Sequence, residues 1–102
     1  MAERLEKDLQ TKCLKYLKSQ EIYNINIYGS GRAAKGAPDI IACINGLFVA
    51  FELKVGTNDL QDDQKIHKRR IERSHGLHFT PRTFEEFKKE VDKCRKDKRL
   101  TP

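Results

Sequence analysis

Two carboxylates and one lysine are spaced so that a hairpin would bring them together. Two apolar segments are joined by Asn45-Gly46, and Asp39 and Glu52 flank this pair of segments. Asn-Gly favours a two-residue turn, which places residues 39 and 52 opposite each other, with Cβ atoms about 4.5–5.5 Å apart. Lys54 shares their face because side chains alternate along a strand. Two acids and a lysine at one end of an apolar hairpin predict a divalent-metal hydrolytic centre.

A metal ion explains why two carboxylates would be kept so close. Like charges repel at this distance unless a cation lies between them. Mg²⁺ prefers oxygen ligands, so Asp39, Glu52 and the backbone carbonyl of Leu53 form a suitable set for Mg²⁺ or Mn²⁺. The bound ion would lower the pKa of a water ligand. Lys54 would orient or deprotonate that water, or neutralise charge in the transition state, and the residue pattern fits all three roles.

The simpler interpretation is a charged hairpin end in contact with solvent. Against it, Glu52 and Lys54 lie inside the segment 47–55, where an ordinary core strand has apolar residues. Pro38 marks the start of a strand, where an acidic side chain can project from the sheet edge. Because buried acids cluster at functional sites, the pattern favours the metal centre.

Hydrophobic spacing predicts three helices and four strands around this centre. In order, they are a helix over 3–19, a strand over 22–28, the hairpin over 38–55, a helix over 60–74, a strand over 77–80 and a helix from Phe84. Both faces of the hairpin are largely apolar, so we expect central strands that are covered on both sides. The predicted fold class is α/β, a mixed sheet flanked by helices in the order α-β-β-β-α-β-α.

Length and charge indicate one basic domain over residues 1–102, with a basic tail that frays from about residue 96. The net charge is +6 at pH 7, from 21 Lys and Arg against 15 Asp and Glu. This excess favours a polyanionic partner, most commonly nucleic acid. No apolar run approaches the roughly 18 residues that would span a membrane. The charged N-terminal segment is unlike a secretory signal, so we expect a cytoplasmic protein with no membrane partner.

Cysteine and histidine spacing argues against both a disulfide framework and zinc. The cysteines are Cys13, Cys43 and Cys94, and the histidines are His67, His75 and His78. An odd number of widely spaced cysteines is typical of a reducing compartment. No pair has zinc-finger spacing, so we expect no zinc. Tyr23 and Tyr28 fit packing as well as stacking, and no aromatic platform of the RNA-binding type is evident.

Four short motifs follow one another in an order and spacing that cover nearly the whole chain. They are Glu6-Lys7-Asp8-Leu9, Lys35-Gly36-Ala37-Pro38-Asp39, Gly46-Leu47-Phe48-Val49-Ala50-Phe51-Glu52-Leu53-Lys54, and Gln64. The PD pair and, thirteen residues later, the E-x-K triplet resemble the signature of PD-(D/E)xK nucleases. All four together resemble more narrowly the VRR-NUC family. Each motif is short, but their combined order and spacing are fairly specific.

The resemblance implies a restriction-endonuclease-like fold and a divalent-metal phosphodiesterase. Asp39 and Glu52 would bind the metal, and Lys54 would be catalytic. Glu6 would be a further acidic ligand, direct or through water. An exposed helix glutamate is the simpler interpretation of Glu6, and Glu3 lies one turn earlier.

Gln64 matches a family glutamine that lies near the active site. The alternative is a surface amide on a polar helix. Relatives often carry Ser or Thr three residues before this glutamine, where the present chain has Gln61. The cap of this helix therefore departs from the family pattern.

Two basic segments are expected to contact DNA. A glycine-rich loop precedes Asp39 and can offer backbone N–H groups and positive charge to phosphates. The candidates in this loop and on the 60–74 helix are Ser30, Arg32, Lys35, Lys65, Lys68 and Arg69. The alternatives are a solvated loop and a solvated helix face, and helical spacing spreads the helix residues over more than one face.

The resemblance also bears on the substrate. Stand-alone members of the family resemble minimal Holliday-junction resolvases, which implies a homodimer that cleaves four-way DNA junctions, and short nucleases of this kind suggest a phage or prophage origin. A chain this short would not carry a separate recognition domain, and two nicks need two copies of a one-site chain. The alternatives are a flap, fork or nick nuclease with a partner, and a DNA-binding module without catalysis.

Overall fold

A computed structural model describes residues 2–28 and 34–97. The elements are α1 (Ala2–Ser19), β1 (Asn24–Asn26), β2 (Ile40–Ile44), β3 (Leu47–Phe51), α2 (Asp62–Arg73), β4 (Leu77–Phe79) and α3 (Phe84–Arg95). Their order is the predicted one. Strand β1 is shorter than predicted, because the amides of Ile27 and Tyr28 both donate to the carbonyl of Asp39 and end the regular pairing. None of these helices is long and apolar enough to cross a membrane.

The four strands form one mixed sheet in the order β1-β2-β3-β4. β1, β2 and β3 pair antiparallel, whereas β4 runs parallel to β3. The hairpin has the predicted register, with residues 40–44 opposite residues 47–51. Asn45 and Gly46 take φ values of 55° and 80°, the left-handed conformation that a two-residue turn needs. The predicted α/β class and mixed sheet are therefore confirmed.

One face of the sheet carries the hydrophobic core. Alternate residues of β2 and β3 point to it and are buried together with side chains of α1 and α3. The largest fully buried side chains include Phe51, Phe87, Leu17, Ile40 and Ile44. The ring centroids of Phe51 and Phe87 are 4.6 Å apart, so α3 packs directly on β3. This layer places α1 and α3 on the same side of the sheet.

The opposite face of the sheet is only partly covered. Helix α2 packs against β4, and Ala50 and His78 are buried there. Cys43 and Phe48, nearer the hairpin turn, remain exposed. The prediction of a hairpin covered on both sides is therefore wrong for this half of the face. One helix about 10 Å wide covers roughly two strands spaced about 4.8 Å apart, and α2 lies at the β4 edge.

Candidate active site

Asp39 is fixed at the start of the second strand. Its amide donates to the carbonyl of Phe51 at 3.0 Å, and its carbonyl accepts from the amides of Ile27 and Tyr28 at 2.7 and 3.1 Å. The carboxylate turns toward the third strand, where Oδ2 accepts from the amide of Leu53 at 2.8 Å. Hydrogen bonds to both neighbouring strands therefore hold Asp39 in place. A hairpin end that was only solvated would not need these bonds.

Glu52 is a buried acid, with 4% of its surface exposed. Its amide donates to the carbonyl of Phe79 at 2.9 Å, so the β4 end fixes the backbone. The carboxyl group lies within hydrogen-bonding reach of that of Asp39, while Oε1 is buried with no hydrogen-bond partner among the described residues. Burial raises the pKa of Glu52, and the charge of Asp39 raises it further. Burial also raises the pKa of Asp39, so a cation would stabilise the ionised pair.

Lys54 is a buried cation beside the two acids, with 9% of its surface exposed. Its positive charge lowers the pKa of both Asp39 and Glu52, against the larger effect of burial. Its amide donates to the carbonyl of Pro81 at 3.2 Å, which continues the parallel pairing beyond β4. The structure therefore brings together the three residues that the sequence predicts as a group.

Arg82 secures the turn that follows Lys54. Its Nη1 donates to the carbonyls of Gly56 and Asn58 at 3.0 and 2.5 Å, and its Nη2 donates to Asp59 Oδ1 at 3.1 Å. Sequence analysis missed this residue. No sequence signal could have found it, because two of its partners are backbone carbonyls 26 and 24 residues away.

The oxygen atoms of this site fit a small, hard cation. The carboxylates of Asp39 and Glu52 and the carbonyl of Leu53 form the oxygen-only set that Mg²⁺ and Mn²⁺ prefer. Glu52 Oε1, which is buried and makes no hydrogen bond to a described residue, is available to accept a cation. Within the described ranges, no three His, Cys, Asp or Glu side chains lie close enough to hold an ion together. Water would therefore have to complete the shell.

The first helix brings a third carboxyl group toward the acidic pair. Glu6 is half-buried, and its charge raises the pKa of Glu52. Its role as a ligand, through water or directly, stays a prediction. The side chain of Glu3 lies outside the described part of the structure.

One turn further along α1, a buried amide ties this helix to the sheet. Gln10 Nε2 donates to Asn26 Oδ1 at 2.7 Å, and Asn26 lies opposite Ile40, the neighbour of Asp39. This bond joins α1 to the strand layer beside the site. Sequence analysis missed Gln10, although its four-residue spacing from Glu6 was an available signal.

Gln64 takes part in the cap of α2. Its Oε1 accepts from the amide of Gln61, the N-cap residue, at 2.7 Å. Gly36, at φ 86°, packs closely against this end of the helix, since a Cβ on it would lie 2.6 Å from the carbonyl carbon of Asp63. The contact places the start of α2 beside the segment that leads to Asp39. A direct role of Gln64 in the site stays a prediction.

The predicted DNA-contacting residues differ in how freely their charges face solvent. The exposed ones are Lys35, Lys65 and Arg69. Lys68 Nζ instead donates to the carbonyl of His78 at 3.3 Å and pairs with Glu72 at 3.2 Å. Lys68 therefore helps to hold α2 on the sheet. Ser30 and Arg32 lie outside the described residues.

A solved structure matches this architecture over most of both chains. It is described as a VRR_NUC domain, aligns with a TM-score of 0.71 at 18% sequence identity, and the match covers 86% of this chain and 95% of that one. The chain has the fold of a VRR_NUC domain. A scan of protein-family models and a search of curated proteins gave no match. At this identity the VRR_NUC likeness establishes the fold, and the activity has to be argued from the side chains.

Within this VRR_NUC fold, the predicted site is assembled from three separate elements. Glu6 comes from α1, Asp39 precedes β2, and Glu52 and Lys54 follow β3. The strand ends carry the two acids and the lysine, and the first helix approaches them from the core side. The VRR_NUC likeness confirms the predicted restriction-endonuclease-like fold.

Proposed function

We propose that the protein is a divalent-metal-dependent DNA endonuclease of the PD-(D/E)xK type and a member of the VRR-NUC family. We further propose that it cleaves four-way junctions as a homodimer. The observation that supports catalysis is the convergence of Asp39, Glu52 and Lys54 at the open end of the hairpin. Because a fold by itself does not specify an activity, the proposal depends on these three side chains.

The residues of the site supply the charges that phosphodiester hydrolysis needs. Asp39 and Glu52 would hold Mg²⁺ or Mn²⁺, with the Leu53 carbonyl as a third protein ligand. When bound, the cation polarises the phosphate and lowers the pKa of water. Lys54 would stabilise the negative charge that develops on the phosphate, or orient the attacking water. Its burial strengthens either effect, because charges interact more strongly away from bulk water.

Hydrogen bonds hold these groups in place independently of a substrate. The Leu53 amide fixes the Asp39 carboxylate, and the carbonyls of Phe79 and Pro81 fix the backbone of Glu52 and Lys54. Groups that are already oriented need little reorganisation when charge develops in the transition state. This preorganisation supports a catalytic role over a role in binding alone.

The distribution of positive charge supports DNA as the substrate. The chain carries a net charge of +6. Lys65 and Arg69 are exposed one turn apart on α2, whose first turn contacts Gly36 in the segment before Asp39. A phosphate backbone that follows α2 would therefore approach the acidic pair. Lys68 contributes less, because its ammonium group is bonded within the protein.

The homodimer is proposed because each chain offers one such centre. Symmetric resolution of a four-way junction needs two cuts, and a two-fold dimer supplies two identical sites. A flap, fork or nick nuclease acting with a partner would not need this symmetry. A DNA-binding module would bind branched DNA without cutting it.

The test is cleavage of labelled four-way junction, flap and plain duplex by the purified protein, with Mg²⁺, with Mn²⁺ and with EDTA. We expect paired, symmetric nicks at the junction that need a metal and disappear in EDTA. Cleavage of flaps or forks instead would keep the active site and refute the junction preference. DNA binding without cleavage in either metal would refute the enzymatic proposal.

The same substrates test the DNA-binding surface. Replacing Lys65 and Arg69 together by Gln should weaken junction binding and lower the salt slope by about 2, or roughly 0.9 for each lost phosphate contact. Lys89→Gln, an exposed lysine of α3, is the matched control and should leave the slope unchanged. If both variants have the same salt slope of junction binding, α2 is not part of the DNA-contacting surface.

A further inference from the structure

Apolar side chains lie uncovered on the sheet face that α2 only half covers. Tyr23, Ile25 and Phe48 expose 73%, 50% and 48% of their surface. Half-buried Ile41 and exposed Cys43 lie between them, because Ile25 pairs with Ile41 and Cys43 pairs with Phe48. We call Tyr23, Ile25, Ile41, Cys43 and Phe48 the bare face. These residues, with neighbouring backbone, line a shallow depression of about 270 Å³.

The bare face ends where α2 begins to cover the sheet. Ile71 of α2 packs beside Phe48, and Gly76 fits between them, since a Cβ on Gly76 would lie 2.9 Å from Ile71 Cγ2 and 3.0 Å from Phe48 Cδ1. Among the described elements, none lies over the first two strands on this side. The exposed rings of Tyr23 and Phe48 alone leave roughly 250 Å² of apolar surface in water. With Ile25, Ile41 and Cys43 between them, the two rings form one contiguous apolar surface, the kind of surface at which proteins bind partners.

Charge narrows the choice of partner for the bare face. None of its five residues is charged, although 35% of the chain is. A nucleic acid strand would need cations along its phosphates, and the bare face itself offers none. A second copy would bring the same uncharged surface, so two chains of net charge +6 could meet here without placing like charges in the centre of the contact.

We propose that the bare face is the centre of a two-fold interface with a second copy of this chain. The proposal rests on the homodimer of the proposed function and assigns its surface. A two-fold contact uses the same patch on both partners, so Cys43 of one copy would lie near Cys43 of the other. Stable interfaces bury about 800 Å² on each partner, so the bare face would be the apolar core and polar residues of α2 and the β1 edge would form the rim.

This interface would set the relation between the two active sites. Asp39 lies four residues before Cys43, just outside the start of β2, and Glu52 lies four residues after Phe48, just beyond the end of β3. The acidic pair therefore lies about four residues, on the order of 13 Å, from the centre of the bare face. A dimer formed through the bare face would carry its two active sites close to the shared interface. Such an arrangement suits two cuts at one branch point.

The first experiment measures the mass of the purified protein by sedimentation equilibrium over a range of concentrations. We expect a dimer for the wild type and at least a tenfold weaker dimer for Tyr23→Asp. The variant would bury one unpaired carboxylate from each copy in the interface. Tyr23 is mostly exposed in the single chain, so the variant should fold, as circular dichroism would check. Leu5→Asp is the matched control, since Leu5 is 55% exposed on α1 away from the bare face.

The second experiment uses Cys43 as a reporter. Cys43 is exposed, whereas Cys13 and Cys94 are buried, so a short bis-maleimide should link two chains through Cys43 alone. We expect a covalent dimer in the wild type, little of it in Tyr23→Asp, and none in Cys43→Ser. Crosslinking that is unchanged by Tyr23→Asp would overturn the assignment of the surface.

The outcomes separate this inference from the proposed function. A monomer that cleaves DNA would overturn the interface and leave the nuclease intact. A dimer that is disrupted by Tyr23→Asp but cleaves nothing would support the interface and overturn the nuclease. If Tyr23→Asp lowers DNA affinity without changing the mass, the bare face binds unstacked bases and the dimer interface is refuted.

Discussion

The two ends of the β2–β3 hairpin are held in different ways. At the turn, Asn45 and Gly46 adopt their φ values locally, and the strands pair in register on both sides. At the open end, regular pairing stops at Ile40 and Phe51. The segment beyond this pair is held by the Asp39 carboxylate, by the backbone carbonyls of Phe79 and Pro81, and by the side chain of Arg82. The turn is therefore a local structure, whereas the open end is built by tertiary contacts around buried charge.

The largest expected effect lies at the open end. Glu52→Gln removes a metal-binding charge and should lower the cleavage rate by on the order of 10³-fold or more, measured under single-turnover conditions on the junction. Thermal stability should be unchanged or higher, because a desolvated acid is replaced by a neutral amide. Glu85→Gln, an exposed glutamate of α3, is the matched control and should cleave normally. Cleavage by Glu52→Gln within tenfold of wild type would refute the site assignment.

A tenfold effect is expected from Arg82, which holds the open end indirectly. Arg82→Ala removes the bonds to Gly56, Asn58 and Asp59, so the turn after Lys54 would loosen. We expect kcat to fall by about tenfold with little change in KM, because the lysine is misplaced while DNA contacts remain. Asp59→Asn, which loses only an exposed ion pair, should change kcat little. An unchanged kcat in Arg82→Ala would show that strand pairing alone positions Lys54.

A substitution in the hairpin turn should lower the stability of the protein without changing its catalytic rate. Gly46→Ala places a Cβ on a residue at φ 80° and should destabilise the protein by about 1 kcal/mol, or roughly 4–8 °C in Tm. Cleavage per folded molecule, measured well below Tm, should match wild type. A specific loss of activity in this variant would show that the two ends are coupled through the strands.

An effect of similar size, seen only at acid pH, is expected from His78, which lies beside Ala50 midway along the hairpin. Burial lowers the pKa of His78 to about 4, so the folded protein keeps the ring neutral while the unfolded chain takes up a proton below about pH 6.5. Stability is therefore present above pH 6.5 and falls as pH drops toward 4. We expect a loss of roughly 1 kcal/mol by pH 5, after allowing for partial solvent screening, in urea titrations at several pH values.

Two variants separate the contribution of His78 to acid stability from that of Glu90, which has the opposite sign. Burial raises the pKa of Glu90 to about 7, so its contribution to stability is present at low pH and is lost as pH rises through 7. His78→Gln should flatten the acid side of the profile, whereas Glu90→Gln should make the acid loss steeper. If His78→Gln has the same profile as wild type, the neutral buried imidazole is not the cause.

Much of the fold could be predicted because its signals are local. The Asn45-Gly46 turn, the apolar spacing of α1 and the cap at Thr83, whose Oγ1 accepts from the Glu86 amide at 3.1 Å, each involve residues close in sequence. Register then follows from the length of the turn, and this brings Asp39 and Glu52 together. Glu52 and Lys54 are buried, Asp39 is half-buried, and the positive charge of Lys54 lowers the pKa of both acids, which agrees with the predicted group.

Contacts between distant segments could not be predicted in this way. The Gln10–Asn26 bond and the reach of Arg82 depend on how helices and turns settle on the sheet. The lateral position of α2, which covers His78 and leaves Phe48 exposed, depends on the same packing. Sequence periodicity identifies an apolar face, but the partner that covers it is chosen by packing among separate elements. The residues and register of the hairpin were therefore contained in the sequence, whereas the support of its open end and the exposure of its second face came from packing.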